Sequence, residues 1–515
     1  MPRTPAEKAA GLLIVRLGNN LPPAVTASEQ EDSVAALLDR HPIGGLILFN
    51  GQWPQTRDTL TRLQARSDRG LLVTTDMERG FGQQVAGGTV YPHAAAFARA
   101  DDPAGAVRTF ARQASEEALA CGVHVTYSPV ADVDRNEANP IIASRAFSDD
   151  PAEAAALAAA FVEGVHEAGQ FATAKHFPGH GATSGDSHAE LPTVDDDRAT
   201  LEATDFVPFR ATIEAGVDLV MTAHVVYPAL DPDRPATRSR AILHDLLRED
   251  MGFEGVVVTD SLQMAGAKAE GQTEAEVAVE LLQAGVDLFV DAVDPEAIIA
   301  GLAGAVEAGR LDEALLDAAL ARVDRLRQRF RARFGADAFR TPPLLPETVA
   351  APTHAQTAAA VAREAVEVAR DPLPDLGDGA GTLVVFVKRA PLPNEPETMP
   401  LGLAVAEHLP GAVYRELEPS VESDDDAFDA VRLLAREADR LVIATVARPA
   451  AWHRFGLAAR ERRFVQSLME GHPTTFVVLG DARGLRGYDA CEAALVAYSD
   501  VPASQVAVVE RLAGR

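Results

Sequence analysis

The stretch Gly169-Gln170-Phe171-Ala172-Thr173-Ala174-Lys175-His176-Phe177-Pro178-Gly179-His180-Gly181-Ala182-Thr183-Ser184-Gly185-Asp186-Ser187-His188 joins two kinds of sequence. Phe171 to His176 has the apolar and β-branched content of a short buried strand. From Lys175 to His188, three histidines, a lysine and an aspartate are crowded together with three glycines and a proline. Glycine and proline at that density forbid a regular element over most of the segment, so it is predicted to be a loop. The polar cluster therefore lies just past the carboxyl end of a strand, where parallel α/β proteins bind ligands.

Within the loop, Asp186 and His188 are two residues apart. The carboxylate can accept a hydrogen bond from one imidazole nitrogen, fixing the tautomer and raising the basicity of the other. A histidine held in that way is a proton shuttle.

Outward from this stretch, short runs rich in Val, Ile, Leu and Thr alternate with longer alanine-rich segments of helical spacing, the pattern of a parallel sheet. Eight strands are predicted: Gly11 to Leu17, Gly44 to Phe49, Leu71 to Thr75, Val123 to Ser128, Phe171 to His176, Val217 to His224, Gly255 to Thr259 and Val286 to Val290. Eight is the number that closes a (β/α)8 barrel of the TIM type. Several of these strands run out on polar residues: Asp76 with Glu78 and Arg79, then Asp132 and Asp134, then His224, then Asp260-Ser261. In a barrel those ends share one face, so carboxylates and imidazoles distant in sequence converge.

Beyond the barrel, Leu311 to Phe334 is predicted to be a long amphipathic helix with arginine gathered late in it, as the helix dipole favours. The proline cluster Thr341 to Pro346 opens a linker, followed by a helix over Thr353 to Arg370. A second α/β alternation has strands predicted at Thr382 to Val387, Leu441 to Thr445, Thr475 to Leu479 and Ala494 to Ala497. The expected organisation is an α/β chain: a catalytic barrel over 1–340, a linker with a helix over 341–372, and a smaller open αβα domain over 373–515.

The totals agree with a folded chain: of 515 residues, 47% are hydrophobic and 24% charged, enough for large cores. A net charge of -29 repels a phosphate backbone, so no nucleic acid partner is expected. The two cysteines, Cys121 and Cys491, imply no disulfide framework, which suits a reducing compartment. Residues Met1 to Lys8 lack the apolar core of a secretory signal, and no apolar run is long enough to span a bilayer. A cytoplasmic location, no membrane partner and a monomer or weak dimer are the expectations.

Asp260 stands in Gly255-Val256-Val257-Val258-Thr259-Asp260-Ser261-Leu262-Gln263-Met264, at the end of a very apolar run. Ionised there, it can act as a nucleophile on an electrophilic carbon. It can equally cap a following helix, since Asp ahead of Ser-Leu-Gln-Met caps well.

The segments Lys175 to Gly181, Asp186-Ser187-His188 and Val258 to Met264 together resemble glycoside hydrolase family 3, in particular its β-N-acetylglucosaminidases. Further similarity lies at Asp76, at Asn139-Pro140 with Arg145, and at Met221-Thr222-Ala223-His224; it covers residues 1 to about 340. After the third strand this chain carries Asp76-Met77-Glu78-Arg79 where the family usually shows Asp-Gln-Glu-Gly-Gly-Arg. The resemblance implies retaining hydrolysis of a terminal β-linked N-acetylglucosamine from peptidoglycan or chitin fragments. Asp260 is then the nucleophile, and His188 oriented by Asp186 is the acid/base. Asp76, Arg145, Lys175 and His176, with His224 beside them, hold the sugar. The partner is a small amino sugar, with no cofactor and no metal. Three other readings are a zinc site built on His176, His180, His188 and Asp186, a β-glucosidase or phosphorolytic enzyme of the same family, and a sugar-binding protein without activity.

Overall fold

The computed structural model describes residues 3–185, 191–268, 271–388, 399–418, 425–448 and 456–515. The chain forms two units. The first is Met1–Thr89, Val107–Asn139 and Ala146–His354; the second is Val90–Ala106, Pro140–Arg145 and Ala355–Arg515.

In the first unit, eight strands of two parallel sheets follow one another along the described residues. They are β1 (Leu13–Leu17), β2 (Gly45–Leu48), β3 (Leu72–Thr75), β4 (Val125–Thr126), β5 (Thr173–Phe177), β6 (Leu219–Thr222), β7 (Val256–Thr259) and β8 (Phe289–Val290). Hydrogen bonds gather them into a five-stranded sheet of order β8-β1-β2-β3-β4 and a three-stranded sheet of order β7-β6-β5. Single parallel bridges extend that order, Val125 to Phe171 ahead of β5 and Val258 to Leu288 ahead of β8. The arrangement is barrel-like. Every residue of β2, β3, β6 and β7 is buried, as strands covered on both faces require. Each of the eight predicted spans overlaps one of these strands. The fifth starts two residues later than expected and ends one residue later, at Phe177; Lys175 and His176, which the sequence reading gave to both the strand and the loop, lie on β5.

Ile14, Ile47, Leu72, Met221, Val258 and Val290 pack into one core, closed by Val323, Leu326 and Phe330 of α1 (Glu313–Phe334). Asp312 caps α1 by accepting from Ala314 N, and Gly335 ends it at a φ of 98°. Its buried stripe also contains an arginine. Arg327 is 2% exposed and donates to the carbonyls of Gly70 and Gly44 and to Asp324, which satisfies a guanidinium that burial would otherwise penalise.

His124, directly ahead of β4, is equally enclosed. Its Nδ1 accepts from Val73 N at 3.0 Å, and its ring lies 4.8 Å from Phe330 and 4.7 Å from Phe339. Burial, aided by the positive charge of Arg327, pushes its pKa down to about 3. A folded-state value below the unfolded one, near 6.5, means that the unfolded chain binds the extra proton, so stability is complete above pH 6.5 and falls as the pH drops toward 3. Thermal denaturation between pH 7 and 4 should show a loss approaching about 1.4 kcal/mol per pH unit from this group, absent in His124→Asn.

The second unit is built on a six-stranded sheet. Its strands are β9 (Glu367–Arg370), β10 (Thr382–Val387), β11 (Val413–Leu417), β12 (Arg440–Ala447), β13 (Thr474–Gly480) and β14 (Ala493–Val496). The order is β9-β14-β13-β12-β10-β11, with β9 antiparallel to β14 and the other pairs parallel. The predicted helix to Arg370 ends early: α2 spans Pro352–Glu364, and the chain then becomes β9. Val366 and Val368 flank the exposed Glu367 and pack on the sheet core, and that period of two overrides the alanine-rich helix before it.

Candidate active site

The carboxyl ends of the first unit's strands carry a connected polar network. Lys175 on β5 is buried, with its Nζ 2.7 Å from Asp76 Oδ1 and 2.7 Å from Glu78 Oε1 on the segment after β3. Two carboxylates offset the cost of taking the ammonium out of water. The next residue, His176, directs Nδ1 to Asp132 Oδ2 at 2.7 Å, while Asp132 Oδ1 accepts from the backbone N–H groups of His176 at 3.2 Å and His180 at 2.6 Å. Asp132 is fully enclosed. Burial works to raise its pKa, but the charges and hydrogen bonds of His176 and His180 outweigh that and hold it below the usual carboxylate value. Asp132 is thus an anionic post that fixes both histidines.

The described part of the loop after β5 is stapled down. Gly179 adopts a φ of 136°, and a Cβ on Gly181 would stand 1.6 Å from the carbonyl oxygen of Val133, so both positions require glycine. Tyr227 donates its hydroxyl to Gly179 O. Asn136 donates to the carbonyls of Ala182 and Thr183, each at 3.1 Å, and Asn139 to that of His180 at 2.9 Å. Backbone groups that a loop would expose to water are therefore met by side chains.

Asp260 follows β7 directly and is half-buried. Its Oδ1 accepts from Ser261 N at 2.7 Å. The nearest following helical element is the short turn Ala265–Ala267, so Asp260 does not cap a helix. Beside it, His224 Nε2 lies 3.3 Å from Ser261 O. Asp291, past β8 with a φ of 63°, accepts from Ser261 Oγ at 2.7 Å, Gln263 Nε2 at 2.9 Å and Arg16 Nε at 2.7 Å. Tyr127, just past β4, is fully buried and within electrostatic reach of these ends and of Asp76. Burial raises its phenol pKa well above the ordinary value, Thr74 opposes this, and the negative charges of Asp76, Asp260 and Asp291 raise it further. Carboxylates from the ends of β3, β7 and β8 thus act on one phenol, which is the convergence that the strand ends predict.

Among the sequence-predicted residues, Asp76, Lys175, His176, His224 and Asp260 all lie on this network of the first unit. Arg145 belongs to the second unit, on the turn Ala143–Arg145, with Nη1 donating to Ile141 O at 2.9 Å. Asp186 and His188 lie outside the described residues. For the zinc reading, His176 and His180 turn Nδ1 to Asp132 and Thr183. Among the described residues, the group whose ligand atoms cluster is His244, Asp245 and Glu249, elsewhere on the unit. Sequence reasoning missed the supporting roles of Asp132, Asp291 and Arg16. Asp291 follows the last predicted strand directly, so the rule that picked out Asp76 and Asp260 applies to it as well.

The family model described as Glycosyl hydrolase family 3 N terminal domain matches residues 5–326. A β-hexosaminidase of Tolumonas auensis is 37% identical over 267 residues, covering 49% of this chain and 76% of that protein. β-Hexosaminidase A of Pseudoalteromonas piscicida is 29% identical over 459 residues, covering 81% and 73%. Among solved structures, a glycoside hydrolase family 3 β-N-acetylglucosaminidase from Paenibacillus sp. str. FPU-7 superposes with a TM-score of 0.86 at 26% identity, covering 100% of this chain and 97% of that one. No helix among the described residues is long and apolar enough to cross a membrane. With more than half of its length matched by the family model and its strand ends bearing the polar network described above, the chain belongs to glycosyl hydrolase family 3.

Proposed function

We propose that this protein is a β-N-acetylhexosaminidase that removes terminal β-linked N-acetylglucosamine with retention of configuration. The observation that carries the reading is Asp260, half-buried at the strand ends beside His224 and acting with Asp76 on Tyr127, in a chain whose relatives are named β-hexosaminidases. In this reading the first unit's eight strands close into a (β/α)8 barrel, and the second unit is an αβα layer.

The Asp260 carboxylate attacks the anomeric carbon as the glycosidic bond breaks, and His188 gives its proton to the departing oxygen. Water then surrenders a proton to His188 and attacks the same carbon, releasing Asp260. Asp186 keeps the imidazole in the right tautomer, so neutral-pH proton transfer needs no elevated carboxyl pKa. Asp76, Lys175 and His176 hold the sugar hydroxyls. Peptidoglycan fragments in the cytoplasm fit two buried free cysteines and an amino-sugar substrate.

The test compares release of nitrophenol from the β-N-acetylglucosaminide and the β-glucoside, for wild type and His188→Ala, with and without inorganic phosphate. The expected result is preference for the N-acetyl substrate, free sugar as product, and a loss in His188→Ala that is larger for poor leaving groups. Preference for the glucoside, or a sugar phosphate as the main product, would move the protein to another activity of the family.

A further inference from the structure

The amino ends of β1 to β3, opposite the site above, hold a feature that glycoside hydrolysis does not use. Beside α1 a cavity of about 490 Å³ is lined by Arg3, Arg69, Arg327, Arg331 and Arg340, against three aspartates. Such an excess of arginine is unexpected in a chain of net charge -29. Part of it is structural: Arg327 is met by Asp324 and two carbonyls, Arg3 reaches the same Asp324 at 3.4 Å, and Arg331 donates to Arg69 O. Arg69 is different. Its Nη1 is buried with no hydrogen-bond partner among the described residues, and it forms no ion pair with them. Burial and the neighbouring Arg3 lower its pKa, and the negative charges of Asp324 and Glu7 offset this only in part.

A second cavity on the same unit, about 820 Å³, is a useful contrast. Its Arg248 and Arg322 are both paired to Asp287, and its Arg329 to Asp218, so three of its four arginines are ion-paired within the unit. The cavity around Arg69 is not answered in this way: five guanidiniums face three carboxylates, leaving two positive charges.

We propose that the Arg69 cavity binds a small phosphomonoester, its phosphate held by Arg69, Arg331 and Arg340 and its organic body filling the remaining space. Two uncompensated charges match a dianion, where a simple carboxylate would supply one. Guanidinium forks fit tetrahedral oxyanions in a bidentate manner. The volume lies in the range of small-molecule sites and is far larger than inorganic phosphate needs.

Isothermal titration of the full-length protein with glucose 6-phosphate, inorganic phosphate and glucose, at constant ionic strength, tests this. The expected result is one-site binding of the phosphomonoester, weaker binding of phosphate and none of glucose. Arg69→Gln and Arg340→Gln should each weaken the phosphomonoester at least about tenfold, as loss of a charge-assisted hydrogen bond does. Arg340 is exposed and outside the catalytic network, so Arg340→Gln should retain wild-type glycosidase turnover and guards against a folding artefact. No heat with the phosphomonoester at millimolar concentration, or binding unchanged in Arg340→Gln, would overturn the proposal. Phosphate binding as tightly as the ester would remove the organic body from it.

Discussion

Asp260→Asn is expected to lower kcat by about 10⁴-fold or more, the scale seen when a member of a covalent catalytic unit is removed. Asparagine keeps the shape, and its carbonyl oxygen can still accept from Ser261 N, the 2.7 Å bond that Asp260 makes now. Thermal stability should therefore stay within about 1 kcal/mol of wild type, as for substitutions that open no cavity and strand no charge. The electrostatics have a further consequence. Asp291 beside it is already engaged by Arg16, Ser261 and Gln263, so it cannot take over as nucleophile without dismantling that network. Turnover within tenfold of wild type in Asp260→Asn would place the nucleophile elsewhere.

Asp132→Ala is expected to have the second largest effect, and chiefly on folding. The substitution strands two backbone N–H groups and the His176 imidazole in a site that excludes water. Leaving such buried donors without their acceptor costs about 1–3 kcal/mol each. Activity should fall as well, because His176 would lose the carboxylate that orients it. The pH dependence has a defined sign. Because the folded pKa of Asp132 lies below the unfolded value near 3.9, its contribution is complete above that value and is lost as the pH falls through the folded pKa. Asp132→Ala should therefore be destabilised throughout pH 5 to 8, and the difference from wild type should shrink only in strong acid. Denaturant unfolding across that range measures both; a loss below about 1 kcal/mol at pH 7 would mean that the histidines are held by something else.

These two residues also mark how far the sequence could be read. Asp260 stood out as a carboxylate ending an apolar run, but the local sequence left nucleophile and helix cap equally open, and the family resemblance chose between them. Asp132 was visible only as a polar strand end. Its role depends on a partner 44 residues away, a distance that no local period encodes. Arg16 lies inside the apolar run Leu13-Ile14-Val15-Arg16-Leu17, where hydropathy favours a strand and says nothing about an aspartate 275 residues later. The eight parallel strands were legible for the opposite reason: strands buried on both faces must be apolar throughout. The edge strands of the second unit were not, since β9 and β11 alternate exposed and half-buried positions over only four and five residues. The dyad Asp186 and His188 was read from spacing and resemblance alone.

The most direct test traps the intermediate. Wild-type protein is treated with a 5-fluoro-β-N-acetylglucosaminyl fluoride, digested, and its peptides are sequenced by mass spectrometry. A covalent sugar carried by Asp260, and absent from Asp260→Asn treated in parallel, is the predicted result. A labelled residue other than Asp260, or full inactivation with no covalent sugar, would contradict it.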